Sequence, residues 1–435
     1  PQFMIKKMKN SNLTFIDIII YTFAFIGPLS TTFLDIYNVT FSASLFLLIT
    51  FLMVINKKKL YFNEASKLLI FSYVSFSLIS LLSAFFYLYK ITSESYFMSI
   101  MSRLGTITLS ITILLTISSW IYNQSKEKLI IFIKICFLST LIFAFLGIYQ
   151  ILSFKYNLPF IETRSSVYGA SYEVQENLGF RLTSITREPN FYAPLLIESL
   201  LISFVFLKRS ALLLFISLSL FLIYKTYSTG AYMHFALLFF FFILFYFKRK
   251  TTKIAFMIAS VFLLAAFTYS LILQDSYFIK KLNDEINGNS TRSLTYLIII
   301  ENYFYSNVLH LIFGYGNNTL QIFSELTNTN YNINFSVSNS LYIDVLWDSG
   351  ILGLSLFLFG FFRLFLRLYK LSHINKFGKI TLLLFISLII TSLYRSEYTT
   401  THFTWVCSII LVCYQLAITV RKESETKYAV CNIQR

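Results

Sequence analysis

The sequence predicts an all-α polytopic integral membrane protein with about twelve transmembrane helices. Three observations lead to this fold class. Charged residues make up only 13% of the 435-residue chain, whereas a soluble domain carries about 25%. Apolar runs recur along the chain at roughly the 17–25 residues that a helix needs to cross a bilayer. Short segments rich in lysine and arginine separate many of these runs, as in the cytoplasmic loops of membrane proteins.

Each apolar run is a candidate span, and the seventh is the shortest. In chain order the runs cover residues 13–30, 36–55, 66–89, 104–122, 129–153, 191–207, 210–224, 231–247, 254–273, 340–362, 379–394 and 402–420.

Clusters of lysine and arginine orient these spans. They precede the first span, as at Lys6 and Lys7, and follow every even-numbered span, as at Lys57–Lys59. Since cytoplasmic loops carry the excess of positive charge, this pattern predicts cytoplasmic N- and C-termini. It also accounts for the formal net charge of +16 without a nucleic-acid partner.

Two long polar stretches, residues 155–190 and 274–339, fall on the opposite face and are predicted to be extracytoplasmic loops of one domain spanning residues 1–435. The orienting bias leaves that face poor in basic residues, so its arginines need another explanation. A cationic binding site on the extracytoplasmic face is one such explanation. The arginines are Arg164, Arg181, Arg187, Arg292 and Arg395.

The first stretch ends at the start of the sixth span. Arg181 and Arg187 precede Glu188-Pro189-Asn190, and proline favours the first turn of a helix. Two arginines beside a helix N-terminus suit a phosphate or diphosphate. The alternative is that they contact lipid headgroups or pair with nearby glutamates. Within the span, Glu198 is either a functional group or a hydrogen-bonded partner of a neighbouring serine.

The second stretch predicts a helix from Ser290 to about Ser306. Arg292 in its first turn opposes the helix dipole, so helix stability does not explain it. A turn follows at residues 314–318, and the tenth span then carries Asp344 and Asp348 on one face. These aspartates are candidate bases or structural partners of the arginines.

Two of the four histidines, His310 and His402, fall where an external site can use them, although histidines at such positions are more often structural. The four cysteines show no spacing typical of a metal site, and we expect no metal or other cofactor.

Three segments together resemble the bacterial O-antigen polymerase and ligase superfamily, and Ser228–Ala231 resembles a fourth signature in which Gly230 replaces a common arginine. The segments are Phe180–Asn190, Thr291–Gly316 and Ser338–Leu354. The resemblance implies an enzyme of the bacterial plasma membrane that transfers undecaprenyl-diphosphate-linked glycans on the outer face. Its partners would be that lipid-linked glycan, the lipid bilayer and a chain-length regulator protein.

The resemblance also implies roles for individual residues. The candidate general bases are Glu188, then Asp344, then His402. Ser338 occupies the position at which ligases of the family carry a histidine, which favours a polymerase. The alternatives are a ligase that transfers the glycan to lipid A-core and, from another class, a flippase or transporter of the lipid-linked glycan. The candidate substrate-binding residues are Arg181, Arg187, Arg292, Asn190, Asn339 and Arg395.

Overall fold

The computed structural model describes most of the chain. The described residues are 14–32, 35–55, 60–88, 94–122, 124–159, 180–246, 251, 254, 283, 287, 291–320, 322, 338–396 and 398–433. The ninth predicted span, 254–273, and much of both long polar stretches lie outside them.

The described residues are helical with short connections, and a single isolated bridge joins Thr32 to Thr186. A short 3-10 helix, Gly27–Thr31, continues the first helix. In chain order the α-helices are α1 Phe15–Ile26, α2 Asp35–Ile55, α3 Glu64–Leu88, α4 Glu94–Tyr122, α5 Lys126–Tyr156, α6 Pro189–Ser203, α7 Arg209–Lys225, α8 Thr229–Tyr246, α9 Thr291–Phe304, α10 Val308–Phe313, α11 Leu341–Ser372, α12 Lys376–Tyr394 and α13 Thr401–Ile433.

Six described helices are long and apolar enough to cross a bilayer, which confirms the all-α membrane class. The number of spans and the side of each terminus stay predictions. The six segments are Glu64–Phe86, Tyr96–Tyr122, Lys126–Tyr156, Leu341–Ser372, Lys376–Tyr394 and Thr401–Glu425.

Helix α4 corrects the predicted start of the fourth span. The apolar run begins at residue 104, after Arg103, but the helix begins ten residues earlier at Glu94. Arg103 does not end the helix because both of its terminal nitrogens donate hydrogen bonds, to Thr399 Oγ1 and to Asn318 Oδ1, at 2.7 Å each.

Helix α11 is longer than the predicted tenth span and is broken near its start. Gly350 has φ 67° and ψ −173°, a conformation that only glycine adopts readily. The break frees the carbonyls of Trp347 and Asp348, which accept hydrogen bonds from the amides of Tyr315 and Gly316 at 2.7 and 3.0 Å. The turn after α10 therefore docks onto α11 at this point.

Helices α12 and α13 are the most buried of the six long apolar helices and lie at the centre of the bundle. In each, 78% of the residues in the most apolar part are buried. Helix α13 packs so closely on the 3-10 helix that a Cβ on Gly27 would lie 2.3 Å from the Trp405 ring. A membrane helix that is buried on most sides contacts protein and not lipid. The connection between α12 and α13, residues 395–400, is therefore held by the best-packed part of the molecule.

The end of the first polar stretch also docks onto the helices. The amide of Arg187 donates to the Thr31 carbonyl at 3.1 Å, and the Leu182 amide donates to the Lys225 carbonyl at 2.9 Å. Gln150 Oε1 accepts from the amide of Ser184 at 2.6 Å. These bonds fix residues 182–187 against α5, α7 and the 3-10 helix, just before α6 begins at Pro189.

Candidate functional site

The candidate site is built around the described members of residues 395–402, which are 395, 396 and 398–402, between α12 and the first turn of α13. We refer to these residues as the 395–402 segment. Its side chains reach α6, at the end of the first polar stretch, and Asp344 and Asp348 of α11, which in turn accept from the amides of Ser338 and Asn318 in the second stretch. The two stretches are far apart in the sequence, and this short connection brings their described ends together.

Arg395 is the cation at the centre of this arrangement. Its Nη1 donates to the Asn190 carbonyl at 3.3 Å, and its guanidinium carbon lies 3.7 Å from the centroid of the Phe191 ring. Only 4% of the residue is exposed. Burial lowers the pKa of Arg395 to about 9, which Tyr394, Glu198 and Glu188 partly oppose. The group therefore remains cationic at neutral pH.

Asn190 and Glu188 contribute the start of α6. Asn190 Oδ1 accepts a hydrogen bond from Ser228 Oγ at 2.5 Å, so its side chain joins α6 to the start of α8. Glu188 is the half-buried N-cap residue of α6, and Pro189 occupies the first turn as predicted. Glu188 is two residues before Asn190, whose carbonyl accepts from Arg395, and its carboxylate is among the charges that raise the pKa of Arg395.

Glu198 and His402 form a second pair, deeper in the bundle. His402 Nε2 lies 2.9 Å from Glu198 Oε2, and each residue is 1% exposed. Glu198 Oε1 is buried and has no hydrogen-bond partner within the described structure. The partner of Glu198 is thus a histidine of α13, in place of the neighbouring serine that the sequence suggested. A carboxylate bonded to an imidazole can orient that ring.

Asp344 lies beside the 395–402 segment but is fully engaged by its neighbours. Its Oδ1 accepts from the Ser338 amide at 2.9 Å, and its Oδ2 accepts from the hydroxyl of Ser396. The carboxylate thereby closes the start of α11 onto the segment next to Arg395. These contacts favour the structural role for Asp344 over that of a general base.

Asp348 is held in a similar way one turn further along α11. Its Oδ2 accepts from the hydroxyl of Tyr398 at 2.6 Å, and its Oδ1 accepts from the Asn318 amide at 3.3 Å. Burial, and then the Asp348 carboxylate, raise the pKa of Tyr398 well above its usual value, so the phenol acts as a donor. The Arg103 guanidinium lies 5.8 Å from the Tyr398 ring centroid.

Arg181 contacts the residue before Ser228, whose hydroxyl bonds to Asn190. It is half-buried, and its Nη2 lies 3.5 Å from the Tyr227 carbonyl oxygen. Its Nε is buried without a hydrogen-bond partner, and no carboxylate forms an ion pair with it in the described ranges. An arginine in this state has donors available for an anion.

Backbone positions and contacts locate three further predicted residues, Arg292, Asn339 and Arg187. Arg292 occupies the first turn of α9, which begins at Thr291 as the sequence predicted within a residue. One turn later, the Tyr296 hydroxyl donates to the Asn339 carbonyl at 3.2 Å and lies 3.5 Å from that of Leu393. The start of α9 therefore lies next to Asn339 and next to Leu393, which is two residues before Arg395 in the sequence. The backbone of Arg187 lies on the 3-10 helix.

His310 belongs to a different cluster. Its ring stacks on Tyr315, with centroids 4.4 Å apart, and Tyr315 stacks on Trp347 at 4.3 Å. This stack anchors α10 to α11. The structural role that the sequence favoured for His310 is therefore the one its contacts support.

Sequence reasoning missed Arg103, Tyr398 and Ser396 as parts of this arrangement, and it singled out Ser228 only as part of the Ser228–Ala231 signature. A charged residue beside an apolar run was the available signal for Arg103. The run of hydroxyl side chains from Tyr394 to Thr401 was the signal for the segment. Among the described residues, no group of three His, Cys, Asp or Glu side chains is arranged to hold a metal ion.

Comparison with known proteins gives one family. Residues 213–358 match the model of a family described as O-antigen ligase. This region contains Ser228, Asn318, Asp344 and Asp348 and ends within α11. No curated protein matches the chain.

Proposed function

We propose that this chain is a polymerase of lipid-linked glycans in the O-antigen polymerase and ligase superfamily, because residues 213–358 match the model of a family described as O-antigen ligase. The family supports glycosyl transfer in O-antigen biosynthesis. The finer proposal is that the enzyme joins undecaprenyl-diphosphate-linked repeat units of an O-antigen or capsular polysaccharide. The observation that carries it is the buried Arg395, which donates to Asn190 at the end of the first polar stretch and follows Leu393, whose carbonyl lies 3.5 Å from the Tyr296 hydroxyl of the second.

The proposed reaction forms a glycosidic bond and breaks the bond between the donor sugar and its lipid diphosphate. The acceptor hydroxyl oxygen attacks the anomeric carbon of the donor glycan, and the bond from that carbon to the lipid diphosphate breaks. The diphosphate leaves with the electron pair of that bond, so negative charge develops on it. A fixed guanidinium stabilises such charge without reorganising, and Arg395 together with Arg181 and Arg292 would supply it.

The acceptor proton needs a base in the same place. We propose Glu188 for this role because it is half-buried, caps α6 and lies near Arg395. The Glu198–His402 pair is the next candidate, since a carboxylate holds the imidazole in one orientation. Asp344 comes last because both of its oxygens already accept hydrogen bonds.

Ser338 supports a polymerase over a ligase. It stands where ligases of the resembled family carry a histidine, and its hydroxyl is buried and donates to the Ser340 carbonyl at 2.9 Å. A serine held in this way does not replace a histidine base. The ligase remains the second candidate because the matching family is itself described as O-antigen ligase.

The test is an elongation assay with purified protein and one lipid-linked repeat unit. A polymerase produces a ladder of longer lipid-linked glycans. A ligase instead transfers the glycan to lipid A-core and leaves the ladder absent. Failure to elongate any of a panel of repeat units, together with transfer to lipid A-core, would overturn the polymerase proposal.

Single variants test the site in the same assay. We expect Arg395→Ala to slow elongation about 100-fold or more, because one fixed donor to a developing anion is lost. Arg181→Ala should also slow it, and Glu188→Gln should reduce turnover while leaving substrate binding intact. The matched control is Arg421→Ala, an exposed arginine of α13 paired with Glu425. Equal activity in Arg395→Ala and Arg421→Ala would remove the assigned site.

A further inference from the structure

The second polar stretch contains a ridge of exposed apolar side chains. The ridge runs from the end of α9 along α10, and Tyr305 and Val308 are 90% and 69% exposed. An external loop in water would not be expected to present such a surface. The members of the apolar ridge are Phe304, Tyr305, Val308, Leu309 and Ile312.

The opposite face of the same segment is rigidly packed. The hydroxyl of Tyr303 donates to the Leu311 carbonyl at 2.5 Å, which fastens α9 to α10. The Ser83 hydroxyl of α3 donates to the Gly314 carbonyl at 2.7 Å. A Cβ on Gly314 would lie 2.5 Å from the Ser349 amide nitrogen, so the turn after α10 has no freedom to withdraw. The ridge therefore points outward as a fixed feature.

The ridge is continuous with the outer surface of a membrane helix. Phe313, at the end of α10, contacts Phe86 with ring centroids 5.4 Å apart. Phe85 and Phe86 are 70% and 51% exposed in the last turns of α3, whose segment Glu64–Phe86 is a candidate span. An exposed phenylalanine on a membrane helix faces lipid, so the ridge extends a lipid-facing surface.

We propose that the apolar ridge lies in the bilayer interface and contacts phospholipid at the boundary between headgroups and acyl chains. A short helix with one apolar face and aromatic side chains at its edge is typical of that zone. The polar residues Asn302 and Asn307 alternate with the ridge along the segment and suit the headgroup side. The proposal goes beyond glycosyl transfer and does not depend on it.

The proposal is tested with fluorophores on single cysteines in vesicles. Cys136, Cys407 and Cys413 are fully buried and unsuited to labelling, so Cys431→Ser supplies the background. Val308→Cys and Ile312→Cys report on the ridge. Phe145→Cys, 60% exposed in the middle of α5, is the lipid-facing reference, and Glu425→Cys is the aqueous one. Each is labelled with an environment-sensitive dye and reconstituted in phosphatidylcholine–phosphatidylglycerol vesicles.

Lipids brominated near the glycerol end of their acyl chains then act as quenchers. We expect both ridge positions to be quenched at least half as strongly as position 145, and position 425 to be little affected. Quenching at the ridge no greater than at position 425 overturns the proposal. So does oxidative cross-linking of Val308→Cys between two chains without lipid quenching, which would assign the ridge to contact with a second copy.

Discussion

Arg395 and Arg103 show how this fold keeps arginines inside a bundle of apolar helices. Arg395 stacks on Phe191 and donates to the backbone carbonyl of Asn190, so an aromatic ring and a peptide oxygen both contact its charge. Arg103 donates to two neutral oxygens, on Thr399 and Asn318. The first guanidinium is the proposed partner of a substrate charge, and the second bonds to Thr399 in the segment that carries the first.

Replacing Arg103 tests its role as a brace. Arg103→Met removes two hydrogen bonds from a charged donor, each contributing about 1.5–3 kcal/mol, while keeping an extended side chain. We expect a lower melting temperature in detergent and reduced elongation. Arg209→Met is the matched control, because Arg209 is exposed at the start of α7, where a substitution changes stability by about 0.5 kcal/mol or less. Equal melting temperatures for the two variants would contradict the prediction.

At the scale of elements, the docking of α10 onto the break in α11 organises the second polar stretch. The break at Gly350 exposes backbone acceptors, and the turn 314–316 supplies the matching donors. Gly314 and Gly350 face each other so closely that neither has room for a side chain. The position of Asp348 follows from this contact, and through Tyr398 so does that of the 395–402 segment.

A glycine substitution tests this docking. In Gly350→Ala the new Cβ would lie 2.2 Å from the Ile312 carbonyl oxygen, at a φ of 67°. Backbone strain of this kind costs about 1–3 kcal/mol, and the clash adds to it. We expect a lower melting temperature and loss of elongation. Gly105→Ala is the control, because nothing lies within 4 Å of its Cβ position, and alanine favours a helix. Equal melting temperatures for Gly350→Ala and Gly105→Ala would show that the docking does not contribute to stability.

The sequence predicted the existence of these elements better than their ends or their contacts. Composition and apolar runs suffice for membrane helices, and α9 begins within a residue of its predicted position. The apolar run that begins at residue 104 misses the first ten residues of α4, because the partners that hold Arg103 inside the helix come from residues 318 and 399. Asn190, Asp344, Arg395 and His402 were each singled out, but spacing places neighbours only within one element. Their convergence needed the packing of α6, α11 and α13.

At the scale of the whole molecule, the described helices form a bundle around α12 and α13. The candidate site lies at one end of these two helices, and that end is the extracytoplasmic one in the predicted orientation. The proposed function depends on this orientation, because the family resemblance implies a lipid-linked donor on the outer face.

The orientation is tested by labelling cysteines in cells with a reagent that cannot cross the membrane. In the Cys431→Ser background, we expect Asn302→Cys to react in cells whose outer layer is permeabilised but whose inner membrane is intact. Lys422→Cys should react only after that membrane is opened. Both residues are exposed, so accessibility in the folded protein is not the difference. The reverse pattern would invert the predicted threading.

The burial of α12 and α13 has a consequence for the energetics of the 395–402 segment. A guanidinium whose flanking helices are packed on most sides cannot follow an incoming diphosphate without moving the centre of the bundle. In the proposed glycosyl transfer, the guanidinium would then be oriented before the substrate arrives, which would keep the reorganisation energy of that step small. Adaptation to glycans of different shape must come from parts of the molecule that border the segment, and the segment itself acts as a fixed template.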